Sequence, residues 1–232
     1  MRFPFLLTVL FSAGLSMLHA ADSVAEKPVT IMPLGDSITE GDASFSVYRY
    51  PLMEKLRAAG YDVVYVGSKT TQPRKDSPLG VLAHEGHSGK NAAFIRAQFE
   101  RVYRQHRADI VLIHAGHNQF SDQKPVPQLL ADMRGIIATA RIINPKVIIL
   151  LGQVIPSGKL PKYDYIPEFN AALIPLAAEL HSSDQPVIVV DHASGFDWQT
   201  DTIADRVHPN ANGAEKMATR WFASLQTVLP TP

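Results

Sequence analysis

Short runs suited to extended strands recur along this chain, most of them apolar on both faces, and segments with helical spacing of apolar residues separate them. The runs are Val29–Leu34, Tyr61–Val66, Ile110–Ile113, Val147–Leu151 and Val187–Val190. Strands buried on both faces belong to parallel sheets covered by helices on either side. Right-handed crossovers then stack those helices above and below the sheet. The pattern predicts an α/β fold, a three-layer α/β/α sandwich around a five-stranded parallel sheet.

The intervening helices are marked by period and by stop signals. Tyr50–Ala59 carries Leu52, Met53 and Leu56 at helical spacing and ends at Gly60. Asn91–Arg107 aligns Phe94, Ile95, Phe99, Val102 and Tyr103, and Val126–Ala140 forms a stripe closed by Asn144-Pro145. Pro167–Leu180 reads as a helix interrupted by Pro175, and Ala214, Met217, Ala218, Trp221, Phe222 and Leu225 mark the last one. Val187–Val190 reads as a fully buried strand. Gly67–Ser88 has no sustained period and contains Pro73 and Pro78, so it is expected to be a long loop, a kind of segment often used for function.

Lys plus Arg and Asp plus Glu both number 22. This balance supplies no net field to attract nucleic acid or an anionic membrane, so the expected partner is small or uncharged. Cysteine is absent, which removes disulfides, thiolate nucleophiles and cysteine-held metals. Met1–Ala20 has Arg2, an apolar stretch and small residues at its end, the pattern of a secretory signal cleaved after Ala20 or Ala21. The mature protein is therefore expected to be secreted or periplasmic, without stable membrane association. A single domain is expected over residues 26–229, since no linker or repeat divides them.

Two short polar segments follow strand-like runs, where an open parallel sheet gathers its loops into one crevice. Gly35-Asp36-Ser37 follows the first strand, and Gly116-His117-Asn118 follows the third; Gly86-His87-Ser88-Gly89 and Asp205-Arg206-Val207-His208 lie in other loops. Singly, each is an ordinary turn or helix-start sequence. As a set they provide every part of an acyl-transfer site. A serine hydroxyl, here Ser37, needs a base to take its proton, and His208 with Asp205 three residues upstream offers an imidazole and a carboxylate to orient it. A tetrahedral oxyanion needs fixed donors, and the Gly89 N–H and Asn118 amide are the candidates. Asp36 is expected to fix the local backbone.

In this order the four segments resemble the blocks of the SGNH hydrolases, also called the GDSL esterase superfamily. That resemblance spans Ile31–Pro209 and implies a flavodoxin-like sandwich. It also implies Ser37 as nucleophile, Gly89 and Asn118 as oxyanion donors, and His208 with Asp205 as base and orienting acid. Ile31–Gly41, Tyr48-Arg49, Val66-Gly67-Ser68 and His84–Gly89 are similar to secreted carbohydrate esterases of family three, the acetylxylan esterases. An acetylated carbohydrate or another small ester is thus the expected substrate. Gln119 departs from the aspartate common after the asparagine.

No metal or cofactor is expected. His84-Glu85-x-His87 and His114/His117 have histidines three apart, not the four of the helical zinc motif. His87 and His117 are expected to brace or line the site. Phe45, Tyr48, Tyr50, Tyr163, Tyr165 and Phe196 are expected to pack under loops, with Trp198 the best placed to touch substrate. Arg74, Lys75, Lys159 and Lys162 read as solvated surface. The same four blocks serve lysophospholipases and thioesterases, and a silent carbohydrate-binding homologue would share the scaffold.

Overall fold

The computed structural model describes residues 27–71, 78–120 and 125–232. The expected signal segment and the Arg74-Lys75 pair lie outside the described residues. The sheet strands are β1 (Val29–Gly35), β2 (Val63–Tyr65), β3 (Glu85–Gly86), β4 (Ile110–His114), β5 (Ile148–Gly152) and β6 (Val187–Val190). Their order is β2-β1-β4-β5-β6, all pairs parallel, with β3 added beside β1. Leaving β3 aside, the path is the flavodoxin-like order, whose switch point lies between β1 and β4.

Alternation along each strand divides the core between the faces. Met32, Leu34, Val111, Ile113, Ile149 and Leu151 pack with α3 (Ala92–Gln105), α4 (Pro125–Ile143) and α5 (Ile166–Leu180). Ile31, Ile110, Leu112 and Leu150 point the other way, onto α2 (Arg49–Ala58) and α7 (Ala211–Gln226), where Trp221 is wholly buried. Truncating a central residue such as Leu112, which has no exposed surface, costs about 2–5 kcal/mol.

Pro33 sits in a central strand without breaking it. Ile31 O accepts from Val66 N and Gly35 O from His87 N, so alternate residues of β1 turn their polar groups towards β2 and β3. Pro33 lies between them in that series. β2 pairs only with residues 29–31 and β3 only with 34–35, so the missing N–H falls in the gap between those strands.

Three sequence expectations need correction. The 67–88 loop contains the two-residue β3 and an antiparallel bridge between Lys69 and His84, so a short sixth strand joins the expected five-stranded parallel path. β3 exists because Leu34 and Gly35 have no β2 neighbour to bond. Helix α5 runs through Pro175 without interruption. The proline is exposed, and its ring and lost N–H lie on the solvent face, where water can bond the freed carbonyl. Finally, β6 is only partly covered, with Ile188 and Val189 half-buried, because it forms the edge of the sheet. Two four-residue helices, α1 (Ser37–Glu40) and α6 (Trp198–Asp201), complete the set.

Candidate active site

The carboxyl end of β1 turns directly into α1. Gly35 makes the junction possible, because a Cβ there would collide with the His114 carbonyl oxygen and the Thr39 hydroxyl. Asp36 caps α1: its Oδ1 accepts from Ile38 N at 3.1 Å, in keeping with its expected backbone role. Ser37 is therefore held at the first position of α1, half-buried, with its Oγ 2.8 Å from Nε2 of His208.

His208 comes from the loop before α7. Its Nδ1 lies 2.5 Å from Asp205 Oδ2, while Asp205 Oδ1 accepts the backbone N–H groups of Val207 at 2.9 Å and His208 at 3.0 Å. Partial burial pushes the Asp205 carboxyl up, but these donors, the His208 ring first, outweigh it and hold the group below the usual aspartate value. The carboxylate thus fixes the tautomer with a proton on Nδ1, leaving the Nε2 lone pair to accept from the Ser37 hydroxyl. Phe45 stacks on the imidazole at 4.2 Å between ring centroids and 24° between planes. Nothing in the sequence around Phe45 signals that contact, since it depends on the chain ends meeting.

Two further loops flank Ser37. β3 pairs Gly86 with Gly35, and His87 N donates to Gly35 O at 2.8 Å, so the 87–90 loop leaves beside the serine turn. Within it Gly89 is exposed at φ 72° with open space where a side chain would stand. The loop after β4 brings in Asn118, whose Nδ2 donates to Lys90 O at 3.0 Å. One amide hydrogen thereby ties the two loops together, and the other remains available. Glu40 braces this region, accepting Ser88 N at 2.5 Å and pairing with Lys69 at 3.0 Å. Beneath it the buried Arg49 donates to the carbonyls of Thr39, Leu82 and Glu40 at 2.7, 2.7 and 2.9 Å. Neither Glu40 nor Arg49 stood out in the sequence as a brace, because their partners, the Ser88 N–H and the Lys69 ammonium for Glu40 and backbone carbonyls for Arg49, are brought to them by the fold.

Ser37, His208 and Asp205 are thus in direct contact, and Gly89 and Asn118 lie on adjoining, mutually bonded loops. Chemically, such a set can pass a serine proton to an imidazole while N–H groups face a developing anion. His117 lies below, wholly buried, with Nε2 donating to Ile155 O at 3.0 Å and Nδ1 3.9 Å from Asp36 Oδ2. Burial pushes its imidazole down to about 4 despite Asp36. His87 pairs with Glu85 at 2.8 Å. Among the described residues no group of three or more His, Asp or Glu is arranged to hold a metal ion. Tyr48, Tyr50, Tyr163, Tyr165 and Phe196 are buried, as packing residues should be. Trp198 instead walls a separate cavity. Lys159 and Lys162 are both exposed, and Lys162 lies 3.6 Å from the Phe120 ring centroid.

Comparison with known proteins gives consistent results. The sequence profile of the GDSL-like Lipase/Acylhydrolase family matches residues 34–216. A multidomain esterase of Ruminococcus flavefaciens is 29% identical over 246 aligned positions, covering 93% of this chain and 31% of that protein. The chain therefore spans about a third of that relative. A family 3 carbohydrate esterase from Talaromyces cellulolyticus superposes with TM-score 0.79 at 27% identity, covering 86% of this chain and 97% of the other. An acetyl esterase mutant crystallised with acetate ion gives 0.78 at 26%, with the same coverages. The Clostridium thermocellum family 3 carbohydrate esterase gives 0.73 at 26%, covering 88% and 100%.

Proposed function

The chain belongs to the GDSL-like lipase/acylhydrolase family, a carboxylic ester hydrolase by that membership, and from this premise we propose that it removes O-acetyl groups from a carbohydrate. The likeness to family 3 carbohydrate esterases supports the substrate class. The contact chain Ser37–His208–Asp205 carries the mechanism.

Ser37 Oγ attacks the ester carbonyl carbon as its proton passes to His208 Nε2. The Asp205 carboxylate stabilises the imidazolium and keeps its ring in place. Negative charge moves to the carbonyl oxygen, where the Gly89 N–H and the free Asn118 amide hydrogen bind it. Collapse expels the sugar alkoxide, which takes the proton from His208 and leaves an acetyl group on Ser37. Water, deprotonated by the same nitrogen, attacks that acyl-enzyme and releases acetate.

Residues 26–229 form the esterase domain in this reading, and Met1–Ala20 directs the chain to the periplasm or medium. No described helix is long and apolar enough to cross a membrane. The test is acetate release from acetylated xylan and from 4-nitrophenyl acetate by the wild type and by Ser37→Ala. Loss of at least ~10³-fold is expected for the variant. Undiminished turnover would end the assignment, and activity that rises with acyl length would move the substrate to a lipid or thioester.

A further inference from the structure

A cavity of about 630 Å³ opens beside the proposed active site, where the chain leaves β5 and β6. Its size is typical of small-molecule sites, and the carboxyl edge of an open parallel sheet is where such sites form. None of Ser37, Gly89, Asn118, Asp205 and His208 lines it. Its walls include Leu160, Tyr163, Ile166, Ala171, Ile174 and Trp198. Leu160 and Ile174 expose 67% and 55% of their surface, so two large aliphatic side chains stand uncovered around it.

The polar residues in its lining are mostly spent on the protein itself. Asn170 uses both ends of its amide on Val154, accepting from N and donating to O at 2.7 Å each. Gln153 Nε2 donates to Asn170 O at 3.2 Å, and Ser157 Oγ donates to Arg206 O at 2.9 Å while accepting Lys159 N at 3.3 Å. What remains is the Gln153 oxygen and the Tyr163 hydroxyl, with the exposed Asp164 and Ser194 at the rim. A sugar ring seated here would bury several hydroxyls with few partners, each at a cost. A hydrocarbon group incurs no such loss.

We propose that this cavity binds an uncharged hydrocarbon group, an aryl ring or an alkyl chain, separately from any sugar handled at Ser37. The assignment does not rest on the acetyl-carbohydrate reading. The cavity wall is also joined to the proposed catalytic turn. Ser157 Oγ and Gly158 N both donate at 2.9 Å to the carbonyl of Arg206, which lies between Asp205 and His208 at φ 61°. The Arg206 guanidinium stands 5.6 Å from the Trp198 ring centroid, and Tyr163 meets His117 edge-on at 5.8 Å. A group filling the cavity would therefore touch the supports of the turn that carries His208.

The test uses the full chain with Ser37→Ala and two probes, 2-naphthol and methyl β-D-xyloside. The protein has two tryptophans, and Trp221 is wholly buried, so Trp198 fluorescence reports occupancy. Trp198→Phe supplies the control. Binding of 2-naphthol is expected to quench Trp198 and to weaken roughly tenfold or more when Ala171→Phe fills the cavity or Ile174→Asp charges its wall. The xyloside should leave Trp198 unchanged. Equal naphthol affinity in both variants and parent, or xyloside binding that Ala171→Phe abolishes, would overturn the proposal. Kinetics on 4-nitrophenyl acetate then identify the source of the group. Competitive inhibition by 2-naphthol assigns it to the ester substrate, and noncompetitive inhibition to a free small molecule. Failure of the esterase reading would appear as lost acetate release with naphthol binding intact.

Discussion

Acid should destabilise this protein steeply before its carboxylates titrate. His84, His114 and His192 are held by burial at about 3, and His117 at about 4. All four are almost inaccessible to solvent, and His114 packs its ring 5.9 Å from His117 and 5.7 Å from His192. Because their folded values are depressed, the unfolded chain binds protons that the native state refuses. Their stabilising contribution is thus complete above the unfolded value of ~6.5 and is lost as pH falls towards the folded values. Each group then removes about 1.4 kcal/mol per pH unit, so together they impose a slope of about 5 kcal/mol per unit near pH 5.5. Lowering pH from 6.5 to 5 should cost roughly 6 kcal/mol, against a total stability of about 5–15 kcal/mol for a domain. The paired carboxylates Asp191, Asp201 and Asp205, all shifted down, contribute only below their own unfolded values, so the two effects separate. Urea denaturation at half-unit pH intervals measures the slope, and His192→Gln should reduce it by one proton. A stability that stays within about 1 kcal/mol between pH 6.5 and 5 would refute the reasoning.

Other outcomes follow from single contacts. Asn118→Ala should lower kcat by about 10²–10³-fold, the usual cost of one oxyanion donor, with a smaller change in KM. Phe45→Ala removes the ring stacked on His208, and steady-state kinetics should show kcat falling more than KM rises, with Phe45→Tyr restoring it. Gly35→Ala drives a methyl group into the His114 carbonyl and Thr39. It should lower stability by about 1–3 kcal/mol in urea titration and lower kcat as Ser37 is displaced.

The parts of the fold legible in the sequence were those decided by local pattern. β1, β4 and β5 are short apolar runs, and the stripes of α3 and α4 repeat at helical spacing, so their residues announce their faces. β3 was hidden because Glu85-Gly86 has no strand character and pairs only where β2 leaves β1 exposed. The reading of Pro175 as an interruption failed because propensity describes an isolated helix, whereas α5 is held by Phe169, Leu173 and Leu176 in the core. At the site, Ser37, Asp205 and His208 stood out as candidates by residue type and order, and the structure puts Ser37 Oγ 2.8 Å from His208 Nε2 and His208 Nδ1 2.5 Å from Asp205 Oδ2. Phe45 against His208, Glu40 against Ser88 and the burial of His114 beside His192 depend on distant segments meeting, which no local pattern encodes.

The hydroxyl of Ser37 and the ring of His208 are separated by 171 positions of chain. A ribosome therefore releases the serine long before its partner exists. Throughout synthesis the growing polypeptide carries at that position an alcohol with no base beside it. In the proposed mechanism, hydrolytic competence arrives in one step, when the segment leading into α7 closes against the mouth of the sheet.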